Sequence, residues 1–218
     1  MCVQSAREVK GKLLRGASAT LGGMSMPAII LAAGASRRLG QPKQLVRIQG
    51  ERLLGRTIRV AKESGVDPVF VVIGAQQEVM GPEVERAGVV AVMNPAWEQG
   101  IASSVRAGLG ALAEALPEAK GVLLLVCDQP KLTAEHLRAL EAAFDAAAGA
   151  AIVASGYDGI AGIPVIFPAG QFGSLLGLQG DTGARSLLRN PPVPLLTVDF
   201  ALGAIDIDTP EDLASQGL

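Results

Sequence analysis

The stretch "AIILAAGASRRLGQPK", residues 28 to 43, places a glycine-rich, basic turn directly after an apolar run. Gly34 and Gly40 allow the backbone to approach an anion closely and to expose its N–H groups. Arg37, Arg38 and Lys43 add mobile positive charge. The combination predicts a phosphate site, although a basic turn after a strand is equally typical of a solvated loop.

This turn matches neither of the two commonest phosphate-binding motifs. Its "GASRRLG" is not G-x-G-x-x-G, and no G-x-x-x-x-G-K-[ST] occurs in the chain. The dinucleotide-binding fold and the P-loop are both disfavoured for that reason. A nicotinamide-dependent oxidoreductase on a similar sheet would need the first of these motifs, so that function is disfavoured as well.

A carboxylate follows the most apolar run of the chain. The segment "LLLVCDQP" carries Asp128 to the carboxyl end of a hydrophobic strand, ahead of Pro130. Proteins usually bind Mg²⁺ through one or two carboxylates together with the phosphates of a substrate, and Asp128 suits that role. It could instead cap the next helix or lie in a turn. Because Thr133 is the better cap for "AEHLRALEAAF", the metal role is favoured.

A third candidate is "NPAWEQGIASSVRAGL", in which a turn at Asn94 and Gly100 precede a predicted helix. Ser103 and Ser104 lie near the start of that helix, where hydroxyls and free N–H groups can bind a phosphate or the edge of a base. Plain capping of the helix would look the same. Trp97 could stack on a ligand ring or pack against the sheet.

The acidic run "IDID" is predicted to be a strand, in which Asp206 and Asp208 share one face. Either carboxylate could then reach the metal or position a substrate. Thr209 and Asp212 follow with the spacing of a helix cap, which predicts a last helix. His136, the sole histidine, is predicted on a surface helix and without a role, which disfavours histidine acid–base chemistry.

Buried strands alternating with helices must position these residues. Apolar residues recur three and four positions apart between the early runs, as in Leu54, Ile58 and Ala61. Runs that are apolar on both faces and separated by helices indicate a parallel sheet covered on both sides. After residue 155 the helices become irregular, which predicts a partly antiparallel edge or an insert facing the substrate. The predicted strands are 28–33, 68–74, 89–93, 121–127, 150–155, 163–167, 194–198 and 204–207.

Composition restricts the remaining possibilities. The 218 residues are 49% hydrophobic and 18% charged, which suits one large core, so we expect a single domain over 26–218 after a disordered lead over 1–25. A net charge of -2 without basic blocks disfavours nucleic acid as a partner. Two distant cysteines indicate a reducing, cytoplasmic setting. No apolar run is long enough for a membrane span.

The ordered set of motifs resembles one family over nearly the whole chain, from about residue 27 onward. "LAAGASRRLGQPK", "NPAWEQGIASSVRAGL", "VCDQP", "GIAGIPVIF", "GDTGARSLL" and "DIDTPEDL" are similar to the nucleotidyltransferases that mature the molybdenum cofactor, in the branch that uses CTP. The resemblance implies an α/β, three-layer Rossmann-like fold with a mostly parallel mixed sheet. It also implies transfer of CMP from CTP to Mo-molybdopterin, with Mg²⁺ as cofactor and release of pyrophosphate.

Site residues carry over from that resemblance by position. Arg38, Lys43 and Asp128 are implied to be catalytic, and Asp128 to hold Mg²⁺, while Arg37 stands at a variable position. Ala33 is typical of the cytidylyl branch, because the guanylyl branch usually has a glycine there. The loop residues implied to bind the triphosphate are Ala32, Ala33, Gly34, Ser36, Arg38, Gly40 and Lys43.

The acceptor side departs from the family at one position. Many relatives have G-H-P where this chain has Gly162, Ile163 and Pro164, so an apolar side chain replaces one that forms hydrogen bonds. Asp181 and Arg185 lie on the same side by resemblance. Alternatives are a GTP-using or sugar-phosphate nucleotidyltransferase, or a non-catalytic nucleotide-binding protein that delivers cofactor to a molybdenum hydroxylase.

Overall fold

A computed structural model describes residues 25–215, so the predicted lead over 1–25 lies almost wholly outside the described residues. A seven-stranded sheet forms the centre, and a two-stranded hairpin lies apart from it. The strands are β1 (Ala28–Leu31), β2 (Arg47–Ile48), β3 (Glu51–Arg52), β4 (Val69–Ile73), β5 (Val90–Met93), β6 (Gly121–Val126), β7 (Ile152–Tyr157), β8 (Ile160–Pro168) and β9 (Leu195–Asp199).

The order of the central sheet is β5-β4-β1-β6-β8-β7-β9. Strands β5, β4, β1 and β6 are parallel, whereas β8 runs antiparallel to both β6 and β7. The chain builds outward from β1 to β5 and then returns to place β6 on the other side of β1. Strand order therefore reverses between β1 and β6, which is where open α/β sheets bind ligands.

Helices cover both faces of this sheet. They are α1 (Leu53–Ser64), α2 (Gln77–Arg86), α3 (Ile101–Ala115), α4 (Ala134–Ala146), α5 (Phe172–Leu176) and α6 (Pro210–Ser215). In β1, Ala28 and Ile30 pack with α1, α2 and α4, while Ile29 and Leu31 pack with α3 and α5. Alternate side chains of one strand thus enter two different cores, which explains why its sequence is apolar without interruption.

The sequence predicted most of this architecture. The parallel half, the antiparallel edge after residue 155 and the covering helices are confirmed, with strand ends shifted by a few residues. The strand predicted over 204–207 is wrong. Residues Ala201–Ala204 form a 3-10 helix, and residues 205–208 have no regular secondary structure and meet the end of β6 through the hydrogen bond from the Ile207 N–H to the Asp128 carbonyl.

The last helix begins as predicted. The carboxylate of Asp212 accepts hydrogen bonds from the backbone N–H of Asp208 and of Thr209, and the Thr209 hydroxyl accepts one from the Asp212 N–H. These bonds satisfy amides that the first turn leaves without partners. Within residues 25–215, no helix has the length and apolarity needed to cross a membrane.

Candidate active site

Two clefts open side by side at the carboxyl ends of β1 and β6. The first cleft, of about 390 Å³, is lined by the turn after β1 and by the start of α3. The second cleft, of about 410 Å³, lies toward β7, β8 and the segment around residue 203. Asp128 and Asp181 line both clefts. Groups bound in the two clefts would therefore meet beside Asp128.

The turn after β1 is held in a tight conformation. Ser36 has a left-handed backbone with φ 53°, and its hydroxyl accepts a hydrogen bond from the Lys43 N–H at 3.0 Å. Leu39 is buried against Val46 and the hairpin, so the tip of the turn is anchored from below. Gly40 has a φ of 73°, which a glycine adopts without steric cost.

Backbone N–H groups of this turn are available to a ligand. Among residues 25–215, no intramolecular hydrogen bond is found for the N–H groups of Gly34, Ala35, Ser36 and Arg37. Gly34, Ala35 and Arg37 line the first cleft. Successive free amides beside a guanidinium form a concave site for an anion. The phosphate site predicted from the sequence is thus favoured over a merely solvated loop.

Lys43 lies between two carboxylates. Its Nζ is 2.5 Å from Oδ2 of Asp128 and 2.8 Å from Oδ1 of Asp208, and Arg38 reaches the other oxygen of Asp208 at 2.6 Å. Burial opposes the charge of Lys43, but the Asp128 carboxylate and the two hydrogen bonds outweigh burial and raise the pKa of Lys43. The ammonium therefore stays charged through the neutral range.

Asp208 is likewise kept charged. Burial acts against its ionisation, but the hydrogen bond and charge of Lys43, with the charge of Arg38, lower the pKa of Asp208. The backbone carbonyl of Asp128 accepts a hydrogen bond from the Ile207 N–H at 3.0 Å. This bond ties the 206–208 segment to the end of β6, so it substitutes for the strand pairing that was wrongly predicted there.

Asp206 and Asp208 occupy different places. Asp206 lines the second cleft, whereas Asp208 contacts Lys43. Burial, with the charges of Asp128 and Asp208, raises the pKa of Asp206. In the described part of the chain, no three acidic, histidine or cysteine side chains form a ready metal cluster. A metal ion held here would rest on Asp128 and Asp208, two oxygen ligands of the kind that hard cations prefer.

The predicted residues at the start of α3 divide into two groups. Gly100 and Ser104 line the first cleft, whereas Asn94 and Ser103 are buried and do not line it. The Asn94 amide donates to the hydroxyls of both serines, at 2.9 and 3.0 Å. The Ala102 N–H donates to the carbonyl of Gly180. The first turn of α3 is therefore partly capped from within and less open to an anion than its sequence predicts.

Gly100 brings the acceptor-side loop against this helix. Its φ is 94°, and a Cβ at this position would collide with the backbone of Gly180. The close approach of the two glycines places Asp181 at the junction of both clefts. Residues that are 80 positions apart in sequence are joined here by backbone contact alone.

The second cleft contains one cation on an organised support. Arg185 donates to the hydroxyl of Tyr157 at 2.7 Å, and that hydroxyl donates to the carbonyl of Ile163. A Cβ on Gly162 would collide with the same hydroxyl, which explains the glycine. Ile163 and Arg185 line the cleft, whereas Gly162 and Pro164 lie behind its wall.

Several residues of the two clefts carried no sequence signal. Gln44, Gln129 and Tyr157 line the clefts, yet neither their residue types nor their spacing indicates a function. Trp97 is half-buried: it packs against the core on one face of the sheet and also lines the first cleft, so both positions expected from the sequence apply. Gln44 directly follows Lys43 and Gln129 directly follows Asp128, so neighbourhood to a predicted residue was the one available hint.

His136 was placed wrongly on the surface. It is 7% exposed, stacks on Phe200 at 4.2 Å between ring centroids and lies 2.8 Å from the Ser155 hydroxyl. Burial lowers the pKa of His136 to about 4. It lines neither cleft. That it takes no part in acid–base chemistry stays a prediction.

Comparison with known proteins settles the family. A family model described as a MobA-like NTP transferase domain matches residues 28–195. The chain belongs to the MobA-like NTP transferase family. It is an α/β nucleotidyltransferase fold with a mostly parallel mixed sheet, as the resemblance implied. The matched range begins at β1 and ends at β9, so it includes the loop, Asp128 and the GDTGAR segment.

Relatives of this MobA-like protein have diverse names. The purine catabolism protein PucB of Bacillus subtilis is 33% identical over 197 residues, covering 84% of this chain and 92% of the relative. A probable molybdenum cofactor guanylyltransferase of Synechococcus elongatus is 38% identical over 119 residues, covering 53% and 57%. Nicotine blue oxidoreductase of Paenarthrobacter nicotinovorans is 27% identical, covering 85% and 93%.

Solved structures agree on the fold of this family member. The crystal structure of Rv0371c from Mycobacterium tuberculosis superposes with a TM-score of 0.73 at 31% identity, covering 88% of this chain and 97% of that one. A manganese complex of the same protein superposes with a TM-score of 0.69 at 28% identity, covering 88% and 98%.

Proposed function

We propose that this chain transfers CMP from CTP to the terminal phosphate of Mo-molybdopterin and releases pyrophosphate. The observation that supports this most directly is the position of Lys43 and Asp128. Their side chains contact each other at the point where the two clefts meet. A nucleotide bound in the first cleft and an acceptor bound in the second would place their reacting phosphates there.

The loop and its cations would bind the triphosphate in the first cleft. The free N–H groups of Gly34, Ala35 and Ser36 suit phosphate oxygens, and Lys43 and Arg37 line the same cleft. An acceptor phosphate is already ionised near neutral pH, so the reaction needs no strong general base. The catalytic task is to bring two anions together and to stabilise the charge that develops on the leaving pyrophosphate.

Asp128 and Asp208 are the residues we propose to hold a divalent cation, and Mg²⁺ is the ion we favour. Two carboxylates beside a phosphate site fit its usual coordination, in which substrate oxygens and water complete the shell. When bound, the ion would neutralise phosphate charge next to the reacting centre. Lys43 contacts both carboxylates. Its ammonium would therefore lie within reach of a triphosphate bound to the cation that these carboxylates hold.

Selection of CTP rests on the loop sequence. Ala33 stands where the guanylyl branch usually has a second glycine, and it lines the first cleft. A methyl group there narrows the space available beside the loop. GTP remains the alternative nucleotide, since a relative named as a guanylyltransferase shares 38% identity over part of the chain.

The second cleft suits an acceptor that has both an anionic group and hydrogen-bond donors. The guanidinium of Arg185 would pair with the anionic group of this substrate. The carboxylates of Asp158, Asp181 and Asp206 would accept hydrogen bonds from amino and ring N–H groups such as those of a pterin. Ile163 adds an apolar wall where relatives of the molybdenum branch often have histidine. A sugar phosphate is the alternative acceptor.

One reaction tests the proposal. The protein is incubated with CTP or GTP, Mg²⁺ and Mo-molybdopterin, and the dinucleotide formed is identified by mass spectrometry while pyrophosphate is measured. Cytosine dinucleotide with stoichiometric pyrophosphate is the expected result. Guanine dinucleotide would favour GTP as the nucleotide. A parallel incubation in which sugar phosphates replace Mo-molybdopterin tests the alternative acceptor, and a nucleotide-sugar product there would favour it. Nucleotide binding without turnover would favour a delivery protein, for example one that serves a molybdenum hydroxylase.

A further inference from the structure

Two buried glutamines form the same unusual arrangement, one beneath each cleft. Nε2 of Gln44 donates to the carbonyls of Ala32 and Gly34, at 2.9 and 2.8 Å. Nε2 of Gln129 donates to the carbonyls of Ile163 and Gly203, at 2.9 and 3.0 Å. Because only the NH₂ end of a glutamine amide can donate to two carbonyls, the chemistry of the partners determines the orientation of both side chains.

In both side chains the remaining oxygen is left without a partner. Gln44 is 1% exposed and Gln129 is 6% exposed, and Oε1 of each is buried with no hydrogen bond to any described residue. A buried acceptor without a partner costs about as much free energy as two neutral hydrogen bonds contribute. Stability alone therefore gives little reason to keep a glutamine instead of an apolar side chain at either position.

The backbone carbonyls that each glutamine bonds indicate a role other than stability. Gln44 ties the first and third residues of the turn after β1, so their carbonyls face the amide and lie away from any anion bound by the loop. A carbonyl turned toward a phosphate would repel it, whereas the N–H groups from Gly34 onward stay free. Gln44 also lines the first cleft.

Gln129 joins two walls of the second cleft. Ile163 belongs to β8, and Gly203 lies in the 3-10 helix three residues before Asp206. The same Ile163 carbonyl accepts from the Tyr157 hydroxyl that supports Arg185. One amide thus sets the spacing between the β8 wall and the segment that carries the acidic residue.

We infer that Gln44 and Gln129 are positioning residues, each of which shapes one substrate site: Gln44 the triphosphate loop and Gln129 the acceptor wall. This rests on the proposed function for the identity of the substrates. The positioning itself does not depend on that function, because it concerns the backbone of two separate loops.

The first test measures the loops directly. Hydrogen exchange is followed in the wild-type protein, Gln44→Met and Gln129→Met, with Gln77→Met on the exposed face of α2 as the matched control. Gln44→Met should speed exchange in residues 33–43 alone, and Gln129→Met in residues 161–164 and 201–206 alone. Exchange that is unchanged in these segments, or raised equally in both, would overturn the inference.

The second test separates the two substrates. Gln44→Met should raise KM for CTP about tenfold, the effect of about one net hydrogen bond, and leave KM for the acceptor within twofold. Gln129→Met should do the reverse. Equal effects on both KM values, in step with a lower Tm, would show that the residues are merely structural and overturn the inference.

Failures of the two proposals are distinguishable. If wild-type protein turns over neither nucleotide, the proposed function fails, while hydrogen exchange still decides the role of the glutamines. If wild-type protein is active and the variants show no KM split, the inference alone fails. Gln44→Asn and Gln129→Asn, which keep the amide but shorten its reach, replace the methionine variants if those do not fold, and the same segments should exchange faster.

Discussion

The ammonium of Lys43 lies 2.5 Å from the carboxylate of Asp128, although 85 residues separate them in sequence. Lys43 comes from the turn after β1 and Asp128 from the end of β6, and these strands are hydrogen-bonded neighbours. Parallel pairing therefore brings both ends to one edge of the sheet. A cationic loop and an acidic side chain meet at the position where strand order reverses.

Asp128→Asn should lose at least about 10²-fold in turnover, because it removes the charge at the junction of both clefts. Its fold should persist, since Lys43 keeps its pairing with Asp208. Steady-state kinetics, with Tm measured beside them, would check this. Asp145→Asn, an exposed change on α4, serves as control. An active, folded Asp128→Asn protein would exclude the proposed role of this residue.

Lys43→Ala should slow turnover by about 10²-fold or weaken triphosphate binding, because in the proposed reaction its charge would offset the charge that develops on the leaving group. The matched control is Lys120→Ala. Lys120 is exposed and directly precedes β6, so it lies at the amino ends of the parallel strands, away from the two clefts. Lys120→Ala should leave the kinetics as in wild type. Equal rates for the two variants would mean that Lys43 is not part of the site.

Substitutions of Asp206 and Asp208 should have different effects on function. Asp208→Asn should weaken binding of a divalent cation together with nucleotide, because Asp208 shares Lys43 with Asp128. Asp206→Asn should mainly raise KM for the acceptor, because it lines the second cleft. Isothermal titration with Mn²⁺ and CTP measures the first effect, and steady-state kinetics the second. If Asp206→Asn were the variant that lost the metal, our division of the two residues would be wrong.

The free energy of unfolding should decrease in acid because His136 is buried in its neutral form. Burial lowers the pKa of His136 in the folded chain to about 4 from 6.5, so the unfolded chain binds the extra proton first. The stabilisation is complete above pH 6.5 and is lost as pH falls from 6.5 toward 4, by up to about 3 kcal/mol. Asp199 acts in the opposite direction and reduces this loss.

Urea unfolding at several pH values between 7 and 4 measures the effect. His136→Gln keeps a hydrogen-bond donor for Ser155 but cannot titrate, so its stability should depend less on pH across that window. If its pH dependence were as steep as in wild type, other groups would be responsible for the acid sensitivity.

Much of the fold could be predicted from the sequence. Strands such as β1 and β4 are apolar on both faces, a pattern that only a sheet covered on both sides explains. The glycines and cations after β1, and Asp128 after β6, are local signals that do not depend on the rest of the chain. Thr209 and Asp212 marked the start of α6 for the same reason, because a helix cap involves only neighbouring residues.

Tertiary structure decided the rest. The segment holding Asp206 and Asp208 has the alternation of a strand, but within residues 25–215 it joins no sheet, and the hydrogen bond from the Ile207 N–H to the Asp128 carbonyl ties it to the end of β6. His136 appeared to belong to a surface because its own helix is amphipathic, while its burial depends on Phe200, 64 residues away. Helix and strand periodicity reports what a residue's own element prefers, not which distant element covers it.

From the residues alone one could predict which residue types stand at the ends of β1 and β6 and that a parallel sheet carries them. The three-dimensional packing was needed to see that Lys43 joins Asp128 to Asp208, that Asp206 lines the second cleft, and that Gln44 and Gln129 each bond two backbone carbonyls. Side-chain hydrogen bonds between distant segments depend on distances of a few tenths of an ångström. Such distances follow from how the whole core packs, which no local pattern contains.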